Sequence, residues 1–209
     1  MTIPLPAEGI VLFTGDSITD SHRLDTGADP LGDGYVRNIA TDLAVRLPGI
    51  RVLNTGISGN RVPDLEDRWD TDCLAVKPVV LTILIGINDT WRRYDNDDPT
   101  SVEAFEAGYR RLLTRVRDQL DCTVVLMEPF LTPIWMDQHR WREDLDPKID
   151  AVRRLARQFD TVLLPTDRAM TEAAVPLGGA AVAYDGVHPT AFGHRVIADT
   201  WLAEASAVE

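Results

Sequence analysis

The chain has 209 residues, with 21 Lys+Arg against 33 Asp+Glu for a formal net charge of −12, and 44% hydrophobic residues. That length predicts a single domain over residues 1–209, able to bury a substantial core. The negative charge argues against nucleic acid or an anionic membrane as the main partner, since both select for clustered Lys and Arg, and it is compatible with a neutral substrate.

The chain contains two lysines, Lys77 and Lys148, which read as a compositional or surface bias with no function attached. Cys73 and Cys122 lie in apolar contexts and match no metal or redox spacing, so buried, reduced thiols are expected. Met1–Gly9 has neither a basic region nor a long apolar run. No segment approaches the roughly 20 apolar residues of a membrane span, so a cytoplasmic protein is expected.

In chain order, Ile10–Phe13, Ile50–Asn54, Val79–Ile85, Thr123–Glu128 and Thr161–Leu164 are short apolar runs bounded by turn residues. Their nearly continuous hydrophobicity suits parallel strands covered on both faces. Helical periodicity fills the intervals. Tyr35, Ile39, Leu43 and Leu47 recur along Tyr35–Leu47, which Pro48-Gly49 ends. Thr100–Leu120 opens with Thr100 and Glu103 in capping-box spacing and continues through Phe105, Tyr109, Leu112, Leu113, Val116 and Leu120. Leu145–Phe159 and Thr190–Ala205 repeat the pattern. This alternation predicts an α/β fold, a doubly wound three-layer α/β/α sandwich around a five-stranded parallel sheet. Ligands in such sheets sit outside the carboxyl ends of the strands, so the loops there are expected to hold the chemistry.

Polar clusters fall at those places. Gly15-Asp16-Ser17 follows the first strand, Gly56-Ile57-Ser58-Gly59-Asn60 the second and Gly86-Ile87-Asn88-Asp89 the third, while Asp185-Gly186-Val187-His188 precedes the last helix. These residue types suit acyl transfer. A serine hydroxyl needs a base to become a nucleophile, histidine is the base suited to neutral pH, and a carboxylate fixes its tautomer. Ser17, His188 and Asp185 are therefore the candidate triad. The N–H groups of Ser17 and Gly56 and the Asn88 side-chain amide are the candidate oxyanion donors. His22 is the main rival base, although no carboxylate stands beside it in D-x-x-H spacing; His139 falls in a middle loop and His194 in a helical stretch. Asp16 and Asp89 read as structural carboxylates bonding the site loops, and Gly59 as a tight-turn residue. Asp95-Asn96-Asp97-Asp98 lacks the Gly and closing Glu of a calcium loop and reads as solvated. The chemistry requires no metal or organic cofactor.

The four blocks resemble those of the SGNH (GDSL-type) esterases, named for Ser, Gly, Asn and His; the letters map to Ser17, Gly56, Asn88 and His188, with Asp185 completing D-x-x-H. Within that family, Leu31-Gly32-Asp33-Gly34-Tyr35-Val36, Gly56–Asn60, Asp64–Trp69 and Gly86–Asp95 are most similar to the intracellular acetyl-xylooligosaccharide esterases. The resemblance implies the flavodoxin-like SGNH hydrolase fold, a cytoplasmic serine esterase that deacetylates xylan fragments, and a homo-oligomer. Aromatic faces stack on sugar rings, so Trp91 and Tyr184, which flank two of the blocks, are the substrate-side candidates. Trp135 and Trp141 are expected in loop or interface packing, Trp69 and Trp201 in the core. Two other readings stand beside this one. A lysophospholipase or thioesterase of the same superfamily would want a long apolar channel, and a flavodoxin-like binding module would do no chemistry.

Overall fold

The five apolar runs are the strands of one parallel sheet. In the computed structural model, which describes residues 2–208, the chain runs β1 (Ile3–Leu5), β2 (Glu8–Gly15), α1 (Ser17–Asp20), α2 (Tyr35–Arg46), β3 (Gly49–Asn54) and α3 (Val62–Asp72). It continues through β4 (Val80–Leu84), α4 (Ile87–Asp95), α5 (Val102–Gln119), β5 (Thr123–Met127), α6 (Arg142–Phe159) and β6 (Val162–Leu164). It ends with α7 (Thr166–Ala174), α8 (Gly179–Val182), α9 (Ala191–Glu204) and β7 (Ala205–Ala207). The sheet order is β3-β2-β4-β5-β6, all parallel. Order reverses between β2 and β4, so their carboxyl ends flank the crevice where such sheets bind ligands.

Side chains alternate across the strands and feed two cores. Phe13, Val80, Leu84 and Met127 pack with Tyr35, Ile39, Leu43, Ile197 and Trp201 on one face. Leu12, Leu81, Ile83 and Leu126 pack with Leu65, Trp69, Tyr109, Leu112 and Leu155 on the other. Each large apolar side chain so buried contributes about 1.5–3 kcal/mol. The Trp201 indole N–H donates to Thr82 Oγ1 at 3.0 Å, so its burial leaves no orphaned donor.

Several expectations need adjustment. The cap of α5 is Ser101, not Thr100: Ser101 keeps a non-helical backbone and its hydroxyl accepts the Ala104 N–H. Lys148 is not a surface residue, because its Nζ is fully buried and paired with Asp144 one helical turn away in α6. Cys73 is buried, but Cys122 is only partly so; both are free thiols. A second, two-stranded sheet joins β1 to β7, with Ile3 opposite Ala205 and Leu5 opposite Ala207. Among the described residues, no helix is long and apolar enough to cross a membrane.

Candidate active site

The chain passes from β2 into α1 through Gly15, where a Cβ would lie 2.1 Å from the Leu84 carbonyl oxygen, so only glycine lets β2 and β4 close up here. Asp16 then caps α1, its Oδ1 accepting the Ile18 N–H at 3.0 Å. That cap leaves Ser17 in the first turn with its hydroxyl directed at the last loop of the chain. Ser17 Oγ lies 2.9 Å from His188 Nε2, and His188 Nδ1 lies 2.6 Å from Asp185 Oδ2. The other Asp185 oxygen accepts the N–H groups of His188 at 2.7 Å and Val187 at 2.9 Å. A carboxylate on Nδ1 makes that nitrogen the donor in the neutral ring, so Nε2 offers a lone pair to the serine proton. Burial pushes Asp185 up, but the bonds from the His188 ring and from the two N–H groups together hold it below the usual carboxylate value.

Other residues brace this arrangement. The Gln138 side chain donates to the Asp185 carbonyl at 2.6 Å, and the Thr132 N–H to the Gly186 carbonyl at 2.9 Å. The segment after β5, for which sequence offers no role, is thus the buttress of the Asp185 loop. Arg68 ties the end of β2 to the β3–α3 loop, donating to the carbonyls of Gly15 and Thr55 at 3.0 and 2.6 Å and to Asn60 Oδ1 at 2.8 Å. Gln138 carries no sequence signal beyond its place after β5, whereas Arg68, on α3, lies within the Asp64–Trp69 segment that carries the family resemblance.

The oxyanion expectation for Gly56 needs correction. Its N–H donates to Asn54 Oδ1 at 2.8 Å, and a Cβ there would lie 2.4 Å from Asp20 N. Gly56 serves the close approach of its loop to α1, and its donor is taken. Gly59, at the tip of that loop, has φ +83° and open space above it. Its N–H has no acceptor among the described residues. Asn88, buried at the start of α4, gives one side-chain N–H to the Asn60 carbonyl at 3.0 Å, leaving the second to point elsewhere.

A cavity of about 540 Å³ opens beside Ser17 and His188, and Tyr184, Ser58, Ser21, His22, Asp33 and His194 line it. The Tyr184 ring stacks on His188 at 5.7 Å and 17°. Trp91 also touches the His188 ring, at 5.7 Å, but it does not line the cavity and packs instead on Trp141 at 5.6 Å. Trp69 and Trp201 are core residues and Trp135 is exposed. His22 has no carboxylate in D-x-x-H spacing, but Asp33, further along the same α1–α2 loop, lies 3.2 Å from its Nδ1. His194 is buried, its Nδ1 accepting the Tyr35 N–H at 3.1 Å, and burial lowers it to about 4.

Two carboxyls lie buried under the site. Asp16 accepts from Ile18 N and Asp89 from Val62 N, as structural roles require, yet each keeps one oxygen without a partner. Burial raises both to about 7.

Residues 13–196 match the GDSL-like lipase/acylhydrolase family. The chain belongs to that family. This GDSL-family chain is 36% identical to an acetylxylan esterase of Geobacillus stearothermophilus over 93% of its own length and 92% of the relative's. The crystal structure of the acetylxylan esterase from that organism superposes with a TM-score of 0.86 at 36% identity, covering 98% of this chain and 96% of the other. A GDSL-like lipase of Parabacteroides merdae superposes with a TM-score of 0.91 at 32% identity, covering 98% of both chains. Solved catalytic mutants of the Geobacillus enzyme replace a serine, an aspartate and a histidine. The GDSL-family protein described here is accordingly an enzyme, a carboxylic ester hydrolase with the α/β fold that its sequence implies.

Proposed function

We propose that this esterase removes acetyl groups from xylo-oligosaccharides or closely related acetylated sugars, with Ser17 as nucleophile, His188 as base and Asp185 as its orienting carboxylate. The observation that carries the reading is the hydrogen-bonded run from Ser17 Oγ through His188 to Asp185, opening on a polar cavity. His188 Nε2 takes the Ser17 proton as Oγ attacks the acetyl carbonyl carbon. The oxyanion is held by the N–H of Ser17, the free side-chain N–H of Asn88 and, in place of Gly56, the N–H of Gly59. As the intermediate collapses and the C–O bond to the sugar breaks, His188 gives the proton to the departing sugar oxygen, and water hydrolyses the acetyl-enzyme by the same relay. Tyr184 presents a ring face to the sugar, while Trp91 steadies the His188 ring.

Polar residues on the cavity wall favour a hydroxylated alcohol over a long acyl chain. The unpaired thiols of Cys73 and Cys122 support a reducing, cytoplasmic setting. Exposed Trp135, Met136, Val175 and Leu177 support association with further copies of the chain.

Acetate release from acetylated xylo-oligosaccharides, followed by NMR with Ser17→Ala as control, tests the reading. Rapid release that vanishes in the variant is expected. Absent release, with p-nitrophenyl acetate still cleaved, would keep the triad and overturn the xylan-type substrate. A rate on p-nitrophenyl esters rising toward C8 would point instead to a lipid-directed enzyme.

A further inference from the structure

The cavity beside Ser17 holds a second polar cluster that the hydrolytic relay does not use. Because His194 Nδ1 accepts the Tyr35 N–H, the proton of this neutral ring sits on Nε2, 3.4 Å from Ser21 Oγ. Ser21 in turn donates its own proton to Asp33 Oδ1 at 2.7 Å. The direction is set: His194 donates to Ser21, and Ser21 donates to Asp33. The cluster cannot generate a nucleophile, since His194 offers Ser21 a proton and no lone pair. What it does is fix Asp33, leaving Oδ2 with His22 Nδ1 at 3.2 Å as its one partner among the described residues.

This arrangement is built at a conformational cost. Ser21 and His22 are consecutive non-glycine residues in the left-handed region, at φ 42° and 66°. Glycines flank Asp33 on both sides and allow contacts that no Cβ permits: at Gly34 it would lie 2.6 Å from Ser21 Oγ and 2.7 Å from His194 Cε1, and at Gly32 it would lie 2.5 Å from the Ser21 carbonyl oxygen. The Asp33 and His22 side chains are each 68% exposed. An ion pair so exposed adds little stability, so stability does not account for the strain. The lone pairs of Asp33 Oδ2 face a cavity that also holds the Ser17 hydroxyl, the His188 ring and the Tyr184 face. A carboxylate acceptor beside an aromatic face suits a neutral polyol and repels an anionic substrate.

We propose that Asp33, together with His22, forms a subsite for the free hydroxyl groups of the sugar ring that carries the acetyl ester. This subsite rests on the acetylated-carbohydrate reading above. It sets the alcohol specificity of the enzyme and takes no part in bond breaking.

The test compares acetylated xylo-oligosaccharides with p-nitrophenyl acetate, which has no hydroxyl groups. Asp33→Ala is expected to raise KM for the sugar ester about tenfold while kcat changes less than about twofold, the loss of one charge-assisted hydrogen bond. The ratio of kcat/KM on the two substrates then falls about tenfold. His22→Asn, whose side chain tolerates the left-handed backbone, lowers that ratio about threefold. Wild-type activity on the sugar ester with an unchanged ratio in Asp33→Ala would overturn the subsite alone. So would an equal loss on both substrates with a lowered Tm, which marks a merely structural Asp33 near the start of α2. Wild-type enzyme that releases no acetate from the sugar ester would overturn the substrate reading and the subsite with it.

Discussion

Two serine–histidine–aspartate clusters share one cavity, Ser17–His188–Asp185 and Ser21–His194–Asp33, and their hydrogen bonds run in opposite directions. In the first, the carboxylate engages His188 Nδ1, and Nε2 is left to accept from Ser17. In the second, a backbone N–H occupies His194 Nδ1, so Nε2 carries the proton and Ser21 passes its own to Asp33. Burial keeps His194 neutral, lowered to about 4. The same three residue types thus make a candidate nucleophile in one place and a fixed acceptor in the other. What decides is the partner of the distal ring nitrogen.

The sharpest way to break this contrast is to remove each serine. Ser17→Ala is expected to lose roughly 10⁶ in kcat on p-nitrophenyl acetate, the scale of a lost hydrolase nucleophile. Ser21→Ala is expected to lose no more than about tenfold, the scale of one or two hydrogen bonds. Comparable losses in the two variants would erase the distinction. A phosphonofluoridate probe followed by peptide mass spectrometry reads the same contrast chemically: the label belongs on Ser17, and label on Ser21 would refute the assigned proton directions.

Next in size is the carboxylate of the first cluster. Asp185→Asn frees Nδ1 from its anionic partner and is expected to lower kcat about 10⁴-fold. Asn88→Ala, which removes a candidate oxyanion donor, is expected to cost on the order of 10²–10³ in kcat with little change in KM. A rise in KM alone would place Asn88 in substrate binding instead.

The smallest effect concerns the buried carboxyls below. Burial raises Asp89 from 3.8 to about 7. A group raised in the folded state binds its proton more tightly there, so its stabilising contribution is full below pH 3.8 and is lost as pH rises through about 7. Asp89→Asn does not titrate. It should gain stability relative to wild type across that window, by at most roughly 1.4 kcal/mol per pH unit. Parallel Tm-against-pH curves for the two proteins would contradict it.

Much of the scaffold is written in local pattern. Val80–Leu84 is continuously buried, and the run Val79–Ile85 announces this; Tyr35–Arg46 carries its buried Tyr35, Ile39 and Leu43 at helical spacing. Helices α3, α4 and α7 escape that reading. In α3, Val62, Leu65 and Trp69 are a sparse stripe among charged residues, while most of the buried positions of α4 and α7 are polar (Asn88, Asp89 and Thr90; Thr166 and Asp167), so no apolar run marks them. The pairing of β1 with β7 escapes it too, because three-residue strands hold too little pattern and their partners lie at opposite ends of the chain.

By itself, the sequence determined the order of strands and helices, the parallel sheet and the blocks that sit at the strand ends, because run length, turn residues and spacing are local properties. Tertiary structure alone decided which donors and acceptors meet. Gly56 and Gly59 share one short loop, yet one N–H is spent on Asn54 and the other has no acceptor among the described residues. His22 meets Asp33 through the fold of the α1–α2 loop, while His194 is silenced by a backbone N–H from the start of α2. Hydrogen bonds act over about 3 Å, and which groups come that close depends on how distant segments fold against one another.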